Sequence, residues 1–131
     1  LIFLGSNFKL KENVEPKWID SEVSLSDLNQ NFYKSISKLS PFGISNPEPV
    51  FIFKKTFIKT VEKFGKLKDH LKLICFDEKN RKEIQAISFY SDENSFTKKV
   101  SPGDRKDIVA TVEEESWGNR RNLRLRILDI L

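Results

Sequence analysis

The sequence predicts a mainly β domain: a five-stranded barrel preceded by one amphipathic helix and a proline-rich connector. Three observations point there. Residues 40–51 read S-P-F-G-I-S-N-P-E-P-V-F, a run that can neither continue a helix nor sit in a central strand. Ahead of it, apolar residues recur at spacings of three and four. Behind it they alternate, in five segments separated by turn residues.

Taken in order, residues 1–20 read as a leftover segment ahead of the domain. Residues 1–4 and 8–10 each suit a short strand without an obvious partner, and Pro16 ends what precedes it. Residues 24–39 carry the helix. Ser24 and Asp27 form a capping-box-like start, and Leu25, Leu28, Phe32, Ile36 and Leu39 fall on one face. Pro41 stops it. In the connector, each proline pushes the residue before it (Ser40, Asn46, Glu48) towards extended geometry, while Gly43 supplies a position open to positive φ. This makes a stiff joint between helix and strand, since a flexible linker would use glycine and serine.

The first strand runs through Phe51 and Phe53 and then residues 57–64, as one long strand or a broken pair. Residues 70–76 form the second, with Leu71, Leu73 and Cys75 on one face. Residues 83–90 form the third, where the parity of Ile84 and Ala86 shifts to Ile87 and Phe89 as a bulge would make it. Residues 92–100 have helical spacing, and Ser101-Pro102-Gly103 turns the chain. Residues 107–114 form the fourth strand, with Ile108, Ala110 and Val112 inward. Residues 123–130 form the fifth, with Leu123, Leu125 and Ile127 inward. Five strands with a short helix between the third and fourth is the plan of an OB-fold, a Greek-key barrel that often binds single strands or oligosaccharides. The expected divisions are 1–17, 18–50 and 51–131.

At 131 residues, with 38% apolar side chains and 11 phenylalanines, the chain has the bulk for one core. No apolar run approaches the ~20 residues of a membrane span, and the N-terminal L-I-F-L is too short for a signal-peptide core. A single cysteine, Cys75, excludes an internal disulfide and fits a reducing, cytoplasmic setting. Charge is uneven: five basic residues stand against six acidic ones in residues 1–50, and eighteen against thirteen beyond, within a net charge of +4. A basic surplus suits an anionic partner, although most charge runs are simply solvated faces.

The catalytic inventory is nearly empty. His70 alone cannot make a multi-histidine metal site, and the chain has no glycine-rich phosphate loop or Ser/His/Asp set. Cys75 alternates with leucines, as a buried thiol does. Asp77-Glu78 and Glu113-Glu114-Glu115 sit at strand ends without a partnering base. Binding chemistry is better represented. Lys66, Lys68 and His70 belong to the turn between the first two strands, with Lys72 just beyond. Trp117-Gly118-Asn119-Arg120-Arg121 forms the turn between the last two, and Arg124 and Arg126 face outward on the fifth strand. In OB-folds these two turns flank the nucleic-acid groove, and basic side chains beside an aromatic platform supply phosphate neutralisation and base stacking. The competing reading packs Trp117 inward and pairs the arginines with glutamates opposite.

Several elements together resemble the RecJ family of single-strand-specific 5′→3′ exonucleases. They are Trp18-Ile19-Asp20, Leu39-Ser40-Pro41-Phe42-Gly43, Asn46-Pro47-Glu48-Pro49-Val50-Phe51, Gly65 followed by His70-Leu71-Lys72-Leu73, residues 84–89, Gly103 and residues 117–130. The resemblance covers residues 18–131, and P-F-G and N-P-E-P are its most specific parts. Two departures stand out: only residues 14–17 separate Asn7-Phe8-Lys9-Leu10-Lys11-Glu12-Asn13, which looks like the tail of the preceding lobe, from the Ile19-Asp20 element. Gly118-Asn119 also reverses the family's asparagine-glycine order, and either order makes a tight turn.

The resemblance implies a fragment lacking the aspartate- and histidine-rich core that holds divalent manganese or magnesium. The chain itself would then carry no catalytic residue, metal or cofactor. It implies an OB domain that grips single-stranded DNA and feeds it to that core during repair and recombination. The contacts would be Lys66, Lys68, His70, Lys72, Trp117, Arg120, Arg121, Arg124 and Arg126. Expected partners are single-stranded DNA, the catalytic core and other repair proteins, with the chain a monomer and no membrane involved. Two alternatives are a structural or protein-interaction module and, against the single histidine, a nuclease in its own right.

Overall fold

The computed structural model describes residues 19–39, 42 and 47–131. The strands expected at 1–4 and 8–10, Trp18, and the connector residues Ser40, Pro41 and 43–46 lie outside the described residues. What remains is a closed β-barrel with an OB-fold strand order. A short β1 (Ser21–Glu22) precedes a 3-10 turn (Leu25–Asp27) and helix α1 (Gln30–Ser37). The barrel strands are β2 (Phe51–Phe64), β3 (His70–Asp77), β4 (Lys82–Ser88), β5 (Arg105–Trp117) and β6 (Arg120–Ile130).

β2, β3 and β4 form an antiparallel meander, and β5 and β6 an antiparallel hairpin. β2 also pairs with β5, and β4 with β6, which closes the cylinder. The β4–β6 contact is parallel and short, formed by Ala86↔Leu125 and Ile87↔Arg126. β2 pairs with β1, β3 and β5, and it bends along its length. Its register with β5 slips between Phe53 and Thr56, where Lys55 takes φ +50 and its N–H donates to Asp107 Oδ1 at 2.9 Å. A bulge of this kind curves a long strand enough to close a small barrel. The two alternatives read from the sequence for this strand therefore resolve to one bent strand.

Alternation buries Leu71, Leu73 and Cys75 on β3 and Ile108, Ala110 and Val112 on β5, as the sequence predicts. On β6, Leu125 and Ile127 are buried and Leu123 packs against the core. Between Val109 and Ala110 the register slips past Leu128, so the inward parity moves to Ile130. Among the described residues Phe53 is the largest fully buried side chain.

One end of the barrel is covered by the segment before β2. The Ser24 hydroxyl accepts from the Ser26 N–H at 3.2 Å and the Asp27 carboxylate accepts from the Ser24 N–H at 3.1 Å, so the expected capping box is present. It caps a 3-10 turn rather than one long helix. Asn29 takes an extended backbone and accepts from the Phe32 N–H at 2.8 Å, starting α1 afresh. The helix expected over 24–39 is thus two pieces, because a second good N-cap competes at Asn29. Leu25, Leu28 and Ile36 join the core and Phe32 packs on Phe51 at 5.5 Å. Leu39 is 54% exposed, two residues beyond the end of α1, and leaves the expected stripe. Asp20 clamps the entry to β2: its N–H donates to the Val50 carbonyl at 2.7 Å and its carboxylate accepts from the Val50 N–H at 2.8 Å.

Two further expectations change. β4 stays in unbroken register with β3 from Asp77↔Lys82 to Leu71↔Ser88, so it has no bulge. Ile84, Ala86 and Ser88 keep one parity, and Ile87 is buried on the opposite, outer face. Residues 92–100 do not form a helix. Asp92 draws in the N–H groups of Asn94 and Ser95, while the Thr97 N–H goes to Asp129 Oδ1 and the Lys98 N–H to the Ile130 carbonyl. Those donors are spent on an Asx turn and on the end of β6, which leaves none for an i→i−4 ladder. The segment nonetheless plugs the barrel, with Val100 buried and Phe96 packed against the core.

Asp129 is the anchor of this plug, accepting from the Thr97 and Ile130 N–H groups at 2.8 Å and from the Thr97 hydroxyl at 2.6 Å. Asp129→Ala is expected to lose about 1–3 kcal/mol, because it orphans several donors at once. Chemical denaturation measures the loss. Hydrogen exchange should rise first at Thr97, and an unchanged rate there would count against the anchor.

Candidate nucleic-acid interface

The outer face of β3, β4 and β6 is built by the residues that alternate with the core. Register places Lys72, Ile87 and Arg126 in one row across the three strands. Ile74 and Gln85 form the next row. At the end where β3 begins and β4 has just ended, an aromatic cluster rises. His70 lies 5.2 Å from Phe64, 5.1 Å from Phe89 and 4.7 Å from Tyr90, ring centre to ring centre. The Arg126 guanidinium stacks over Phe89 at 4.7 Å. Phe89 is 39% and Tyr90 79% exposed. Such a surface joins π-faces to positive charge, the combination that receives unpaired bases and their phosphates.

Lys66 and Lys68 lie exposed in the turn that follows β2, with Leu67 between them 82% exposed. Lys68 takes φ +57 and its N–H donates to the Gly65 carbonyl at 3.1 Å. His70 is placed differently from its lysine neighbours. Its Nδ1 accepts from the Tyr90 N–H at 3.0 Å, and its Nε2 lies 3.5 Å from Asp69 Oδ1. Both ring nitrogens are therefore engaged within the domain. Lys72 reaches back to Glu62 on β2 at 3.6 Å.

The arginines divide into two pairs. Arg124 and Arg126 face out of the barrel, as alternation requires, and both meet carboxylates of β5. Arg124 contacts Glu113 and, at 3.3 Å, Glu115; Arg126 contacts Glu113 at 3.2 Å. Arg120 and Arg121 are exposed, and among the described residues neither carries an ion pair. They do not lie in a broad turn as expected. β5 and β6 run to the tip, with Trp117↔Arg120 and Ser116↔Arg121 in register. Gly118 and Asn119 alone make the turn, and Gly118 at φ +63 in first position is the arrangement of a type II′ turn. The side chain of Trp117 lies outside the described residues.

Because β4 and β6 are parallel, the Arg120–Arg121 tip and the His70–Tyr90 cluster occupy opposite ends of the face. At about 3.3 Å per residue they stand roughly 25 Å apart along the strands. The basic residues predicted from the sequence thus flank one face without gathering at one point. Phe64, Phe89 and Tyr90 were missed. Reading residues 83–90 as a single strand with a bulge turned Phe89 inward, whereas the strand stops at Ser88. The available signal was an aromatic pair, Phe89-Tyr90, leading into the polar run Ser91-Asp92-Glu93-Asn94.

Elsewhere the chemistry is structural. Burial pushes the Cys75 thiol up to about 12, so it stays protonated and inert. A two-pronged hydrogen bond from Arg105 holds the exposed Glu78 carboxyl below its usual range. Among the described residues no group of three or more His, Cys, Asp or Glu side chains converges as metal ligands. No described helix is long and apolar enough to cross a membrane.

Comparison with known proteins agrees with this architecture. The single-stranded-DNA-specific exonuclease RecJ of Bacillus subtilis (strain 168) is 27% identical over 111 residues. That match takes in 85% of this chain, and the chain spans 14% of the relative's length. The family model described as the RecJ OB domain matches residues 19–129, most of the chain and all but the last residue of its barrel strands, and the chain belongs to that family.

Proposed function

We propose that this OB domain binds single-stranded DNA across the β3–β4–β6 face and serves a RecJ-like exonuclease as its strand-gripping part. The observation that carries the reading is the exposed aromatic pair Phe89–Tyr90, set beside Arg126 and Lys72 on the outer strand face. Lys66 and Lys68 at one end and Arg120 and Arg121 at the other extend it with positive charge that carries no ion pair among the described residues. The strand would pass from this face to a separate nuclease core, in a cytoplasmic repair or recombination setting. That core, not this chain, would hold the divalent manganese or magnesium and cut the strand.

Titration with fluorescent single- and double-stranded oligonucleotides at two salt concentrations tests the reading. Salt-sensitive preference for the single strand is expected, and equal binding of both forms, or none, refutes it. Replacing both Arg120 and Arg121 with alanine should weaken binding and flatten the salt slope by about 1.4, at about 0.7 per contacted phosphate. An unchanged slope removes these two residues from the contact.

A second reading has its own observation. Glu113 and Glu115 already occupy Arg124 and Arg126. A face neutralised in this way would also suit a module that braces the nuclease core or docks a protein. Absence of DNA binding by the chain, together with binding to the core, would favour it.

A further inference from the structure

We infer that His70 is a positioning residue, a neutral latch that holds Tyr90 out as a stacking platform for an unpaired nucleobase. This rests on the proposed single-strand binding. It reverses the role that charge alone would give the histidine.

Tyr90 is a non-glycine residue at φ +53, yet the residue is 79% exposed. A left-handed backbone at a residue of this size persists only where its surroundings over-determine it. Here the surroundings do so. The Tyr90 N–H donates to His70 Nδ1 at 3.0 Å, and the two rings meet edge-on at 4.7 Å and 81°. The imidazole is itself wedged between Phe64, Phe89 and the backbone of Gly65, where a Cβ would lie 2.7 Å from Cδ2. His70 therefore joins the end of β2, the start of β3 and the exit of β4 at one point. Tyr90 projects from that point with one ring face uncommitted.

An imidazole nitrogen that accepts a hydrogen bond carries no proton. The bond from the Tyr90 N–H thus fixes the neutral ring with its hydrogen on Nε2, towards Asp69. Protonation would put a second N–H at Nδ1, facing the Tyr90 N–H, and break the latch. The charged and titratable groups around it are Asp69 in the turn, Arg126 beyond Phe89, Lys66 and Lys68 in the same turn, Lys72 one step along β3, and the Tyr90 phenol. Asp69 touches only the Nε2 side and cannot replace the lost acceptor.

The test uses the whole chain, an oligothymidylate of about a dozen nucleotides, and an abasic oligonucleotide of equal length as the probe without stacking. Near neutral to mildly basic pH, oligothymidylate should bind more tightly than the abasic strand. Tyr90→Ala and His70→Ala should each lower oligothymidylate affinity about tenfold while leaving the abasic strand unaffected. His70→Asn, whose side-chain oxygen can accept from the Tyr90 N–H, should keep the preference. Acidification should erode the preference in the wild type and spare it in His70→Asn. A preference that rises in acid would make His70⁺ a phosphate contact and overturn the latch, as would an unaltered preference in His70→Ala. Because His70 is the sole histidine, NMR reads the latch without DNA. The Tyr90 amide resonance should move with the imidazole titration, and a Tyr90 amide blind to it overturns the latch outright. Failure of the oligonucleotides to bind, with that coupling present, would instead overturn the DNA-binding reading and the platform role while leaving the latch.

Discussion

Phe53→Ala is expected to remove about 3–5 kcal/mol of folding stability, the cost of deleting a buried aromatic side chain and leaving the space behind. Phe53 is 1% exposed, sits opposite Ile108, and lies just before the bulge that bends β2. Its carbonyl also accepts from the Thr56 hydroxyl at 3.0 Å, which leaves the backbone little freedom to collapse into the void. Domains of this size are stable by roughly 5–15 kcal/mol, so the change would consume a large share of the whole. Urea denaturation measures it. A loss below about 1.5 kcal/mol would mean the ring does not fill the barrel interior. Leu67→Ala, at an 82% exposed position, should stay within about 0.5 kcal/mol and serves as the control.

Gly65→Ala is expected to cost about 1–3 kcal/mol from the backbone alone, since φ at this position is +97. The added methyl would also press on the imidazole at 2.7 Å from Cδ2, and that ring is hemmed in by Phe64, Phe89 and Tyr90. Strain and displacement therefore act together. The substitution should lower the melting temperature and shift the NMR signals of Phe64, Phe89 and Tyr90, while signals of the Gly118 turn stay put. Gly118→Ala separates the two effects, because a Cβ there meets nothing within 4 Å. Equal losses at the two glycines would leave conformation as the whole cause and remove the ring from the account.

The barrel was legible because alternation is a strong signal wherever one face is buried. Leu71, Leu73 and Cys75 announce β3, and Ile108, Ala110 and Val112 announce β5. The errors arise where local chemistry competes with periodicity. Helical spacing over 92–100 gave way to Asp92 and Asp129, whose carboxylates take the donors a helix needs. The stripe from Leu25 to Leu39 was interrupted by Asn29, which caps as well as Ser24 does. Ile87 looked like the sign of a bulge because it is buried outside the core, a possibility that a single alternating pattern does not represent. For the interface, strand parity turned Arg124 and Arg126 outward, and their pairing with glutamates opposite was one of two readings the sequence left open. The hairpin register, which sets Glu113 opposite Arg124, decides for that pairing. The role of His70 depends on Tyr90, twenty residues away in sequence.

The shortness of the β4–β6 contact bears on how the chain reaches its fold. Residues 51–88 make a meander and residues 105–130 a hairpin, each with near-neighbour pairings that need little loop closure. β2–β5 and β4–β6 join these two units across long stretches of sequence, and the latter supplies only Ala86↔Leu125 and Ile87↔Arg126. Such distant contacts cost chain entropy before they return any energy, which places the search for them late and makes it slow. The joint at β4 and β6 is then expected to form last and to part first. The rings of the aromatic cluster come from β2, β3 and the exit of β4, all within the meander, and only Arg126 over Phe89 waits for β6.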